Sequence, residues 1–123
     1  MSSTNNMNTS VLRSVTCVIV LCGILLLGAF FACNHWNDLS EAEAKRFCEG
    51  LMPRIEERKQ ATGKFPEKLD PSWTQGAKIP RLIHEQAFYA AHEEYYDFHF
   101  RNPRRLNSLF VYNSKLKAWL NGD

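Results

Sequence analysis

Glycine is scarce in this chain, 6 of 123 residues, and no glycine-rich loop exists that could cradle a phosphate. There is no GxSxG elbow, and no spacing binds serine and histidine into a nucleophilic triad. None of the 4 cysteines stands in a CxxC pair, so neither a zinc ribbon nor a redox motif is indicated. Internal repeats are missing as well. A large excess of one charge is also absent: the formal net charge is +2, which speaks against wholesale binding of nucleic acid. His84, His92 and His99 match neither the helical nor the short-spaced pairs of metal sites, and read as solvent-facing. No cofactor is expected.

What is present is apolar. Val15 to Ala32 reads VTCVIVLCGILLLGAFFA, with no charge and Thr16 as its only clearly polar residue. At ~1.5 Å per residue a helix of this run spans about 27 Å, close to the ~30 Å hydrocarbon core of a bilayer. It predicts a membrane anchor over residues 15–33, preceded by a disordered cytoplasmic tail over residues 1–14. Arg13 and the amino terminus lie before the run, while Asp38, Glu41 and Glu43 follow it. The positive-inside rule then leaves the N-terminus in the cytoplasm and the rest of the chain outside; the expected location is the bacterial inner membrane, with the domain in the periplasm. His35 and Trp36 fall where an interfacial belt would lie.

The end of the run leaves its processing open. Cleavage by signal peptidase needs a small-x-small site, and Phe30 occupies the second small position before Ala32. Ala32-Cys33 has the final pair of a lipoprotein signal, so Cys33 is a candidate for lipidation, although Phe30 and Phe31 replace the usual Leu and small residue. Cys17 and Cys22 lie within the run as small apolar groups. A Cys33–Cys48 disulfide, two free thiols, or an acylated Cys33 all fit an exported chain.

Residues 39–123 suffice for one small core. Ser40 and Glu43 form a capping-box pattern. From there Ala44, Phe47, Cys48, Leu51, Met52 and Ile55 recur at three and four residues, the stripe of an amphipathic helix, with Glu41, Lys45, Arg54, Glu57 and Arg58 on its solvent side. Pro53 should kink this helix and Gly63 should end it. Pro66, Pro71 and Pro80 then break up a turn-rich stretch anchored by Phe65, Leu69 and Trp73. Tyr96, Phe98 and Phe100 alternate with polar residues as a half-buried strand, paired with residues 87–91 across the turn at His92, Glu93 and Glu94. Residues 109–112 and 116–120 form a second hairpin, and residues 102–105 link the two. The expected class is α+β: an N-terminal transmembrane helix, then one long amphipathic helix packed on a small antiparallel sheet.

The stretch FCEGLMPRIEERKQATGKFPEKLD resembles the end of the long helix and the following turn in type IV pilins and type II secretion pseudopilins. Gly63, Phe65, Pro66 and Leu69 occupy the glycine, aromatic–proline and leucine positions of that pattern, and the hairpin ending in VYNSKLKAW is similar to their terminal strands. The resemblance implies a pilin-like domain that works through protein–protein contacts. The processing motif departs from it: Arg13-Ser14 precede the run where pilins carry glycine, and Ile19 stands at the fifth position, where they carry glutamate.

Two further groups could bind something. Glu93, Glu94 and Asp97 could offer oxygens to Ca²⁺, which needs about six to eight. Arg101, Arg104, Arg105, Lys115 and Lys117, interleaved with Phe100, Phe110, Tyr112 and Trp119, form a candidate contact for a polyanion or for lipid; the low net charge favours the plainer arrangement, with the aromatics in the core and the cations a solvated rim facing anionic lipid. The leading expectation is a non-enzymatic envelope protein held by a single span, with an unidentified envelope protein as partner. An immunity protein that masks a toxin at the outer face of the membrane, or a polyanion-binding module, are the alternatives.

Overall fold

A computed structural model describes residues 2–83 and 88–122. Its elements are α1 (Ser2–Thr62), the short 3-10 turns Pro71–Trp73 and Arg81–Ile83, and four strands: β1 (Tyr89–Ala91), β2 (Tyr96–Arg101), β3 (Leu109–Asn113) and β4 (Ala118–Gly122). The chain divides into two compact units, residues 1–36 and 37–123.

The first unit is helix alone. Val18, Ile19, Leu21, Leu25, Leu26 and Phe31 are all exposed, Leu26 at 72 %. This helix is long and apolar enough to cross a membrane, and none of its apolar window is buried within the protein. Residues 2–14, expected to be a disordered tail, are helical from Ser2. Once an apolar segment has nucleated a helix, each further residue gains a hydrogen bond at little extra cost.

The backbone also stays helical through Asn34–Asp38, so Ser40 does not cap a new helix. Ser40 is instead buried, and its hydroxyl accepts from Arg81 Nη2 at 3.4 Å. The helix continues through Pro53. It ends at Gly63, whose φ of 79° suits a residue without a side chain and whose N–H donates back to Lys59 O at 2.7 Å.

In the second unit Ala44, Cys48, Leu51 and Ile55 are the buried stripe of α1. They share one core with Phe65, Ile83, Tyr96, Phe98, Phe100 and Phe110, and Phe47, Met52, Leu69 and Trp73 pack around it half-buried. The sheet is an antiparallel meander in the order β1-β2-β3-β4. Its registers place Tyr89 opposite Phe98, Phe98 opposite Tyr112, Phe100 opposite Phe110, and Tyr112 opposite Trp119. Because strand side chains alternate, these aromatics share the inner face, and the rings of Phe100 and Trp119 meet edge-on at 5.4 Å. The expected α+β packing of helix on sheet is present.

Two strand limits differ from expectation. Ala87 lies outside the described residues, and β1 begins at Tyr89. β4 begins at Ala118, not at residue 116, because the Asn113 carboxamide oxygen accepts from the N–H groups of Lys115 and Leu116. That turn closes with Lys117 at φ 51°.

Cys48 is fully buried in the helix stripe, and none of the four cysteines is in a disulfide. The Cys33–Cys48 disulfide left open by the sequence is therefore not formed. Burial pushes the Cys48 thiol up to about 12, with the nearby Glu49 charge adding to the effect.

Candidate functional site

The register of the sheet separates the basic residues that the sequence groups together. Arg101 ends β2 opposite Leu109, whereas Lys115 and Lys117 lie in the turn after Asn113, at the other end of β3. A five-residue strand holds these ends about 17 Å apart, so Arg101, Arg104 and Arg105 form one group and Lys115 and Lys117 another. The aromatics proposed to interleave with them are core: Phe100 and Phe110 are buried, and Tyr112 and Trp119 pack half-buried on the inner face. Lys115 pairs with Glu94 at 3.2 Å on the surface. A single basic-aromatic surface is not what the fold builds.

The arginine end is the more ordered of the two. The loop 102–108 between β2 and β3 is held by its own polar side chains. Asn102 and Ser108 are buried. The Asn102 N–H donates to Ser108 O at 2.9 Å, and the Asn102 carboxamide oxygen accepts from Arg104 N at 2.9 Å. Ser108 Oγ donates to Gly122 O at 3.0 Å, which ties the loop to the last strand. Asn107 takes a left-handed conformation at φ 62°, which asparagine tolerates better than most residues.

Arg104 reaches from this loop back to the start of the unit. It pairs with Asp38, and its Nη1 donates to Glu41 Oε2 at 2.6 Å. Glu41 also pairs with Lys45 at 2.7 Å, and the Lys45 ammonium stands 4.9 Å from the centre of the Phe110 ring. Glu41 and Lys45 therefore do not face solvent as the helix pattern implies; the Glu41 side chain is only 19 % exposed. Beside this network a cleft of about 240 Å³ is lined by Asn37, Arg81, Leu82, Arg101 and Pro103.

A third cluster had no sequence signal. At the β1–β2 turn, Asp97 Oδ2 meets His92 Nε2 at 2.7 Å, and Asp97 Oδ1 meets His99 Nδ1 at 3.2 Å. His92 also stacks on Tyr95 with centroids 4.3 Å apart. The carboxylates weighed as calcium oxygens are divided, with Asp97 engaged by imidazoles and Glu94 by Lys115. Spacing alone could not show this, because the two histidines meet the same carboxylate from a turn and from a strand. His84 lies outside the described residues.

The outer face of the sheet carries an apolar strip. Leu109 and Leu120 are exposed, Val111 is half-buried between them, and Val111 pairs with His99 on one side and Leu120 on the other. Strand alternation turns this strip away from the core. Comparison with known proteins finds no matching family model, no matching curated protein and no matching solved structure.

Proposed function

We propose that this chain is a non-enzymatic, single-pass protein of the bacterial inner membrane, with a pilin-like periplasmic domain that acts through contacts with another envelope protein. The observation that carries the reading is the contrast in α1: apolar side chains up to Phe31 have no cover within the protein, while those from Ala44 onward are sealed by the sheet. An uncovered apolar helix of this length needs lipid, because backbone groups satisfied within the helix make it one of the two structures that can span a bilayer. Arg13 before the run favours a cytoplasmic N-terminus. The outer strip of Leu109, Val111 and Leu120 is the part of the sheet best suited to a protein partner, since apolar area left outside a core gains by docking.

The pilin-like element of this reading rests on the helix ending at Gly63, with Phe65 buried and Leu69 half-buried behind it. A site-specific photocrosslinker tests the contact in intact cells. Placed at Leu120 it should give one discrete adduct heavier than the chain, and placed at the exposed Glu57 it should give none. Equal labelling at both positions, or none at Leu120, would remove the protein-contact reading.

A further inference from the structure

The most exposed large apolar side chain in the described protein is not in the membrane-length run. It is Leu106, 85 % exposed, at the tip of the 102–108 loop. Arg105 precedes it, and Arg101 stands at the base of the same loop. A lone exposed leucine needs no explanation in general. This one is held out by a loop whose buried Asn102 and Ser108 fix its backbone, so it cannot fold back to the core at low cost.

Position gives the leucine a partner. Arg104 of this loop is paired with Asp38, and Asp38 is five residues beyond Cys33, the end of the apolar segment. Five residues reach at most about 18 Å when fully extended, and about 7.5 Å as a helix. The polar layer of a bilayer is roughly 5–7 Å deep on each side of the hydrocarbon. Covalent reach therefore keeps Asp38 near the membrane surface, and the Asp38–Arg104 ion pair ties the base of the loop to it. The opposite end of the sheet, with Lys115 and Lys117, is a strand length further along the chain's fold and has no such tether.

The geometry points to the 102–108 loop as a membrane-interface finger, with Leu106 entering the headgroup–acyl boundary and Arg101 meeting the phosphates of anionic phospholipids. The chemistry suits the site: an apolar tip gains by leaving water, and guanidinium groups bind phosphate oxygens in a two-pronged geometry. Arg104 is not part of the contact, because Asp38 and Glu41 occupy it; its work is to hold the loop to the helix. This inference rests on the membrane-anchor reading.

The test uses the full chain in vesicles of phosphatidylcholine with and without phosphatidylglycerol. Cys17, Cys22 and Cys33 are changed to Ala, Cys48 stays buried, and an environment-sensitive fluorophore is attached through Leu106→Cys or, as a comparison, Lys115→Cys. Flotation after alkaline extraction reports anchor insertion independently of the loop. The expected result is a blue-shifted label at position 106, quenched by headgroup nitroxides in vesicles with phosphatidylglycerol and weakened about fivefold by Arg101→Gln, with the label at 115 unquenched. A label at 106 that is as unquenched as the one at 115 in a chain that floats would overturn the finger alone. Quenching that ignores both phosphatidylglycerol and Arg101→Gln, or that inorganic phosphate in solution abolishes, would overturn the headgroup assignment. A chain that fails to float would overturn the anchor, and the finger with it.

Discussion

Two stretches of one helix solve the same problem in opposite ways. Before Trp36 the apolar residues occupy every side of α1 and remain exposed, over a length that is enough to cross a membrane. After Asn37 they narrow to a stripe, Ala44, Cys48, Leu51 and Ile55, and the protein covers them with its own aromatic sheet. Width of the apolar face separates the two environments. Helical periodicity by itself does not, because both stretches are helical.

The largest effect should come from breaking the covered stretch. Leu51, 4 % exposed, has nowhere to relax, so Leu51→Ala should destabilise the domain by about 2–5 kcal/mol. Chemical denaturation of the segment from Asn37 onward would read this as a fall in unfolding midpoint, without the membrane. The uncovered stretch should answer differently. Leu25→Arg should cost about 2.5–3.5 kcal/mol of membrane insertion, seen as loss of the chain from the membrane fraction, while leaving unfolding of the domain unchanged. A change in domain stability with Leu25→Arg would break the division into two units.

A smaller effect is set by protons. Burial raises Cys48 from 9.0 to about 12 and Tyr89 from 10.0 to about 12, and it raises Tyr96 as well. In the unfolded chain these groups ionise first, so the unfolded state loses protons that the folded state keeps. Stability is therefore full below about pH 9 and falls as pH climbs towards 12. One such group contributes a slope of at most about 1.4 kcal/mol per pH unit. Cys48→Ala should make the alkaline decline shallower between pH 9 and 10, which a series of denaturation curves would show. The smallest effect is expected at Glu57, exposed on the same helix. Glu57→Ala should shift stability by about 0.5 kcal/mol or less. A loss equal to that of Leu51→Ala would invalidate the assigned face.

The parts of this fold that were legible in the sequence are local and periodic. The stripe through Leu51 and Ile55, the stop at Gly63 and the alternation of Tyr96, Phe98 and Phe100 need only nearby residues and the pitch of an element. What was not legible depends on distant partners. Nothing near Glu41 announces Arg104, 63 positions away, and without that partner the helix pattern places Glu41 in solvent. Ser40 looked like a cap because capping is a local rule; its burial beneath Arg81 is a tertiary event. The basic residues looked like one patch because sequence distance between 105 and 115 is short, while the strand between them separates the two groups. The bond of Asp97 to two histidines arises the same way, from a turn folding back on its strand.

Everything proposed for this chain turns on which side of the membrane the domain occupies. An alkaline phosphatase fused after Asp123 should be active and a β-galactosidase at the same point silent, because phosphatase folds only once exported and the galactosidase only in the cytoplasm. The reverse pattern, silent phosphatase and active galactosidase, would contradict a domain held outside the cytoplasm by an N-terminal span.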